Sequence, residues 1–215
     1  SIENAGANLR KFNWEKPYIV SEWGVNGPFE AKKTSWKAKI EQPNGLKADQ
    51  RLRRYQELIE KDKELCLGSY CFLWGQKQES TATWHGMFLS NGNPTEAVDV
   101  MQFCWTGEWP QSRAPSIRDI SLENIGWKKD HILAPSAQAT LKIDYLKYNN
   151  NILIVEYALY PEAFSDKIGG DVQKSPDSIK FDIVKQRDNE LIFITPKKKG
   201  AYRLFAYVKN EKGQS

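Results

Sequence analysis

Hydrophobic positions in the first half of the chain follow two patterns, short continuous runs and a helical spacing. Short apolar runs at residues 18–20 and 67–74 predict strands that are buried on both faces. Around them, apolar residues recur at helical spacing, which predicts helices over residues 5–13, 48–64 and 95–104. The order helix, strand, helix, strand, helix favours a parallel α/β sheet or barrel.

The second half shows a different pattern, because beyond a stretch rich in Trp, Pro and Gly the apolar residues alternate with a period of two. This pattern predicts strands at residues 140–145, 152–157, 179–184, 190–194 and 201–208. Short strands at this spacing, in about 100 residues, favour an immunoglobulin-like β-sandwich. The sequence thus predicts a multidomain α/β plus all-β protein, with an α/β region at 1–107, a linker at 108–116 and a sandwich at 117–215.

Composition and charge exclude several classes of function. The 215 residues include 31 Lys and Arg against 27 Asp and Glu, a net charge of +4 that is spread over both halves. Neither half has the dense basic face that binding to nucleic-acid phosphates requires, and no apolar stretch is long enough to span a membrane. The basic run at residues 197–199 follows a proline and precedes a glycine, which predicts a solvated turn.

Metal and cofactor chemistry finds little support in the sequence. The three cysteines lack paired spacing, and with only two histidines they form no credible zinc set. We therefore expect no metal and no organic cofactor.

The first region is too short for a closed barrel. Two parallel strands cannot close a sheet, and a (β/α)8 barrel typically needs ~250 residues, whereas this region has 107. The chain also begins at Ser1 rather than Met. We expect a piece of a longer protein, with the remaining strands supplied by preceding sequence or by a partner chain.

Candidate chemistry lies where the two predicted strands end, since α/β barrels carry their catalytic groups there. Glu22 follows the first strand, and a carboxylate there is costly unless something uses or pairs it. Trp74 ends the second strand, and an exposed indole can stack on the apolar face of a sugar. Gln76 and Glu79 follow at once and offer hydrogen bonds to sugar hydroxyls.

Three segments carry a family resemblance: KPYIVSEWGVNGPFE, GSYCFLWGQKQESTATWHGMF and TEAVDVMQFCWTGEWP. Together they resemble the last quarter of the TIM barrel of retaining glycoside hydrolases, above all glycoside hydrolase family 2, over about residues 1–110. The resemblance implies that Glu22 is the nucleophile and that Trp74 forms the floor of the sugar site. The acid/base Glu of the family has no counterpart here, so this chain alone is expected to be inactive.

The other candidates each keep two interpretations. Trp84 and His85 could line a substrate cleft or could pin a long loop. Trp23 could touch substrate or pack in the wall, and Glu79 could be a second carboxylate near the site or a solvated loop charge.

The second region resembles the Ig-like or PKD-like modules that follow such barrels, through the segment SIKFDIVKQRDNELIFITPKKKGAYRLFAYVKNEKGQ. We expect it to act as a spacer rather than to bind sugar. The resemblance also implies a bacterial protein exported to the periplasm or cell surface.

Three functions therefore remain open. The first is part of a retaining glycoside hydrolase or transglycosylase that acts on O-glycosidic bonds of a poly- or oligosaccharide. The second is a catalytically inactive protein that binds glycans or serves as a cell-surface scaffold. The third is a stand-alone two-domain protein without enzymatic activity.

Overall fold

The computed structural model describes residues 5–148, 152–164 and 171–215, so the first four residues of the predicted α/β region lie outside it. In chain order the first part contains helix α1 (Ala5–Lys11), strand β1 (Tyr18–Trp23), helix α2 (Asn44–Leu58), a 3-10 turn (Glu60–Asp62), strand β2 (Cys66–Cys71) and helix α3 (Glu96–Thr106).

Strands β1 and β2 run parallel, and the connection between them contains helix α2 as the helical crossover that parallel strands need. Val20 and Trp23 of β1 are buried against Leu58 and Ile59 at the end of α2, and Met101 of α3 closes the same core. This core lies on one face of the two-stranded sheet, which is the face that the helices cover.

The helix ends follow from local chemistry. Helix α2 begins directly after Pro43 and ends at Leu58, earlier at both ends than the predicted span of 48–64. Helix α3 starts where the Thr95 hydroxyl accepts the Ala97 N–H. It ends at Gly107, whose left-handed φ of 76° is the usual glycine termination.

The second part is built from antiparallel strands. These are β3 (Ser116–Leu122), β4 (Ile125–Gly126), β5 (Gln138–Leu146), β6 (Leu153–Pro161), β7 (Ile183–Arg187), β8 (Glu190–Ile194) and β9 (Tyr202–Asn210). One sheet has the order β4-β3-β5-β8-β7, and the other pairs β6 with β9.

The two sheets enclose a core of alternating residues. Leu141 and Ile143 of β5 and Phe193 of β8 point inward toward Val155 of β6 and Val208 of β9. Because inward positions along β5 are two residues apart, the structure keeps the period of two seen in the sequence. This arrangement is compatible with the predicted immunoglobulin-like sandwich.

The prediction of a C-terminal portion of a (β/α)8 TIM barrel is wrong. In residues 5–148, 152–164 and 171–215, nine strands stand against three α-helices, and all the sheets are small and open. The only parallel pair in these ranges is β1 with β2. The alternation of helix and strand correctly indicated one parallel pair with a helical crossover. The spacing of apolar residues, however, reports only which face of an element is buried. It carries no information on how many strands complete a sheet.

The two parts pack directly on each other at the start of α2. A Cβ on Gly45 would lie 2.4 Å from the Ser116 Oγ, so only glycine permits this close approach. Arg118 of β3 forms an ion pair with Asp49 and also donates to the Gly45 carbonyl oxygen at 3.2 Å. Within the described residues, no helix combines the length and the apolar character that crossing a bilayer requires.

Candidate functional site

Glu22 lies on β1, one residue before the strand ends, and its side chain is exposed. The cost of burying a carboxylate, on which the sequence argument rested, therefore does not arise. In the part of the chain that the structure describes, the Glu22 carboxylate takes part in no hydrogen bond or ion pair. Within those residues, the strand thus presents an exposed carboxylate without a partner.

The backbone beside Glu22 is held tightly. The Phe72 N–H donates to the Trp23 carbonyl oxygen at 2.6 Å, which brings the residues after β2 alongside the end of β1. A Cβ on Gly24 would lie 2.5 Å from the Phe72 carbonyl oxygen, so the two backbones can approach this closely only at a glycine. Phe72 is therefore a direct neighbour of the strand end that carries Glu22.

Helix α2 fixes both loops that follow the strands through buried arginines. Arg54 donates to the Gly24 carbonyl oxygen and to the Asn26 side-chain oxygen. Arg51 donates to the His85 carbonyl oxygen at 2.7 Å. These guanidinium groups satisfy backbone carbonyls that would otherwise be unpaired inside the protein.

Trp74 is 55% exposed and belongs to a surface aromatic cluster. Its ring lies 5.7 Å from the ring of Trp105, which is also exposed, and meets the edge of Phe88 at 5.2 Å. The three rings connect the segment after β2 with the C-terminal end of α3. The two exposed indoles are tilted by 38° to each other, and either ring could stack on a sugar.

Glu79 and His85 form a buried polar pair behind Phe72. Glu79 accepts from Lys77 Nζ at 2.9 Å, and its other oxygen lies 3.8 Å from His85 Nε2. The edge of His85 packs on the Phe72 ring, with centroids 5.2 Å apart. Burial, aided by nearby Arg51, lowers the pKa of His85 to about 4 despite the Glu79 charge, so the imidazole is neutral at pH 7.

The remaining predicted contact residues are engaged within the protein. Trp84 is buried and donates its indole N–H to the Asn26 carbonyl oxygen at 2.9 Å, which pins two loops together. Gln76 is exposed and donates to the Ala82 carbonyl oxygen at 3.3 Å. Trp23 is buried and faces Tyr55 of α2, on the side of the sheet opposite to Glu22.

The structure also contains a polar network that the sequence did not indicate. Glu41 accepts from Lys47 Nζ at 2.7 Å and from the hydroxyls of Thr81 and Thr83 at 2.6 and 2.8 Å. Burial opposes the Glu41 charge, yet the adjacent Lys47 lowers the pKa of that carboxyl. The ion pair holds the loop after β2 against the loop that precedes α2.

A signal for this network was present in the sequence. Lys47, Arg51 and Arg54 lie on one face of α2, because their spacing of four and three residues matches the helical repeat. All three are buried. Charged residues at helical spacing are normally interpreted as a solvated face, so the pattern by itself predicted an exposed face and not a buried one.

Taken together, the structure places Glu22, Phe72, His85 and Glu79 around the ends of β1 and β2, whereas Trp74 extends toward α3. Such an edge can present a nucleophilic carboxylate and an aromatic surface to a ligand. Across the described residues, no group of three or more His, Cys, Asp or Glu side chains is arranged to hold a metal ion.

Comparison with known proteins yields no family for this chain. No protein-family model matches it, and no curated protein matches it either.

Proposed function

We propose that this chain is part of a retaining glycoside hydrolase or transglycosylase in which Glu22 is the nucleophile. The observation that carries the proposal is the Glu22 carboxylate, which is exposed, has no partner in the described residues and lies at the end of strand β1. A carboxylate without a local partner is available to attack a substrate. The likeness of the segment KPYIVSEWGVNGPFE to the sequence around the nucleophile in glycoside hydrolase family 2 supports the same role, although the described residues do not form the barrel of that family.

The chemistry needs two carboxyl groups. In the first step a Glu22 oxygen attacks the anomeric carbon, the glycosidic bond breaks, and a second carboxylic acid protonates the departing oxygen. In the second step water or a sugar hydroxyl attacks the glycosyl ester, and the same second group accepts its proton. The two carboxyl groups must lie ~5–5.5 Å apart.

Glu79 is a poor candidate for that second group. Its side chain is buried, and one of its oxygens already accepts from Lys77 Nζ at 2.9 Å, so it is engaged within the protein. We propose that another part of the protein, or a partner chain, supplies the acid/base carboxyl. The neutral His85 helps to orient Glu79 and Phe72 rather than to transfer a proton.

The test is the turnover of a panel of aryl glycosides by the full-length protein and by its Glu22→Gln variant. We expect the variant to lose at least ~10³-fold in kcat while its thermal unfolding stays unchanged, because Glu22 is exposed and forms no hydrogen bond or ion pair within the described residues. Glu64→Gln is the matched control, since Glu64 is an exposed glutamate just before β2, at the opposite end of the sheet. Equal activity in both variants would refute the role of Glu22.

A second candidate function is glycan binding without catalysis. The specific observation in its favour is the surface cluster of Trp74, Trp105 and Phe88, in which two indoles are more than half exposed. Stacking of a sugar on these rings needs no catalytic carboxylate and is therefore independent of Glu22. A glycan-array measurement separates the two: binding that Trp74→Ala abolishes, in a protein without turnover on the aryl glycosides, would favour the binder.

The proposed location is the periplasm or cell surface of a bacterium, where a poly- or oligosaccharide substrate is accessible. In that setting the sandwich serves as a spacer that packs against α2. Fractionation of cells that express the full-length protein, followed by immunodetection, tests this location.

A further inference from the structure

A large cavity lies away from Glu22, between the loop at residues 34–43 and the two sheets of the sandwich. Its volume is about 880 Å³, within the range of roughly 300–1,000 Å³ that is typical of small-molecule sites. Residues of β3, β5, β8 and β9 contribute to its lining. The cavity thus continues the sandwich core outward to the surface.

The walls of this cavity are mainly apolar and aromatic. Trp36 from the loop and Trp127 from the sandwich both line it, together with Leu133, Phe193 and Leu204. Phe193 is also part of the buried sandwich core. A ligand with a hydrocarbon or aromatic body would therefore replace water against apolar surface, which is favourable.

The charged groups along the cavity are unbalanced. Four lysines line it, and none of them forms an ion pair within the described residues: Lys39, Lys129, Lys198 and Lys199. Both acidic residues in the lining are already neutralised, Glu41 by Lys47 at 2.7 Å and Glu162 by Arg203 at 2.9 Å. The cavity lining therefore carries a net positive charge, which would attract an anionic ligand.

One buried donor in the lining also has no acceptor. The Trp36 indole nitrogen is shielded from solvent, and no group in the described part of the chain accepts its hydrogen. Buried N–H groups are nearly always paired in native proteins. Because this nitrogen is shielded from water, the indole lines the cavity with its ring and not with its N–H group.

We propose that this cavity binds an amphipathic anion, with an apolar or aromatic body and one carboxylate or sulfonate group. The apolar walls hold the body, and the lysines select the negative charge. The basic run at residues 197–199 then acquires a specific role, since two of its three lysines line the cavity whereas Lys197 does not.

The experiment titrates the protein with two fluorescent probes that share one aromatic body. These are 1-anilinonaphthalene-8-sulfonate, which is an anion, and N-phenyl-1-naphthylamine, which lacks the sulfonate. We expect saturable binding of one anionic probe per chain, several-fold tighter than that of the neutral probe. The double variant Lys198→Glu/Lys199→Glu should weaken the anionic probe about tenfold and leave the neutral probe unchanged.

Two further variants complete the design. Lys197→Glu is the matched control, because it reverses the same charge on the same exposed turn outside the cavity lining, and it should leave both affinities unchanged. Ala134→Trp places a large ring at an exposed position of the lining, and it should weaken both probes without altering the fold.

Three results would overturn the proposal. They are the absence of saturable binding, an equal effect of Lys197→Glu and the double variant, and affinities that do not respond to Ala134→Trp. Thermal unfolding of each variant confirms that the protein remains folded. None of these readouts depends on Glu22, so this proposal fails or stands separately from glycoside hydrolysis.

Discussion

The buried ion pair between Lys47 and Glu41 makes the strongest stability prediction. The Lys47 side chain is 3% exposed and that of Glu41 is 11% exposed, so water cannot replace the partner if one is removed. Lys47→Met keeps the length of the side chain but leaves the Glu41 charge buried without its cation. Breaking a buried pair from one side costs about 3–5 kcal/mol of the free energy of unfolding.

The magnitude also depends on pH. In the wild type, Lys47 lowers the pKa of Glu41, so the stability from this carboxylate is present above the ordinary carboxyl pKa and is lost as the pH falls through the folded-state value. Without Lys47, burial is opposed only by the Thr81 and Thr83 hydroxyls and by Arg203, so the pKa of Glu41 is higher in the variant than in the wild type. Lowering the pH from 7 to 5 therefore favours the neutral form more in the variant, and the difference in stability should shrink.

Urea unfolding followed by tryptophan fluorescence at both pH values measures this difference. Lys61→Met is the control, because Lys61 is exposed in the 3-10 turn after α2 and should change the free energy of unfolding by less than ~0.5 kcal/mol. The double variant Glu41→Gln/Lys47→Met should recover a large part of the loss, since it removes the uncompensated charge. A Lys47→Met variant as stable as Lys61→Met would refute the reasoning.

Three other substitutions test the packing around the site and the junction. Gly24→Ala should cost roughly 2 kcal/mol in the free energy of unfolding, because its Cβ would collide with the Phe72 carbonyl oxygen, 2.5 Å away; urea unfolding measures it, and wild-type stability would contradict the close approach. Arg113→Lys should lower the melting temperature by the equivalent of about 1–2 kcal/mol. The Arg113 guanidinium lies 3.7 Å from the ring centroid of Trp109 and 3.5 Å from that of Tyr148, and an ammonium cannot stack there. An unchanged melting temperature would count against the stacking. Burial raises the pKa of Glu96 to about 7, so the folded state holds its proton more tightly than the unfolded state and stability falls as the pH rises toward 7. Glu96→Gln should therefore be more stable than the wild type at pH 8 by roughly 3 kcal/mol; a lower stability at that pH would contradict this, because it would show that Tyr148 and Arg113 compensate the buried charge.

The sequence predicted local structure well where the side chains on one face share one environment. The alternation predicted at residues 140–145 agrees with Leu141 and Ile143 pointing inward, and the helical spacing at residues 48–64 predicted α2, although that helix runs from Asn44 to Leu58. In both cases burial of apolar surface determines the element, so the periodicity of the hydrophobic residues is sufficient.

Long-range arrangement was not predictable in the same way. The helix and strand pattern of the first part was consistent with a barrel, but the ranges that the structure describes contain one parallel pair in a small, open sheet. The number of strands in a sheet depends on hydrogen bonds between distant segments, which leave no periodic trace in the sequence. For the same reason, no periodic pattern indicated that the loop at residues 34–43 would lie beside the cavity of the sandwich.

The candidate site shows a similar division. The position of Glu22 at the end of a strand followed from the apolar run that precedes it. The contacts of Trp84 and Glu79 did not, because they depend on the exact path of the loop after β2. The buried charges of α2 were also missed, since only their distant partners, such as Glu41, distinguish them from solvated residues.

The central claim is that Glu22 is a nucleophile, and covalent trapping tests it most directly. A panel of 2,4-dinitrophenyl 2-deoxy-2-fluoroglycosides supplies a leaving group that needs no protonation, so the first step requires only the nucleophile. With the full-length protein, mass spectrometry of the digested product should show one glycosyl group, attached to the peptide that contains Glu22 and absent from Glu22→Gln. A label on another carboxylate, or an equal label on the Glu22→Gln variant, would contradict the account.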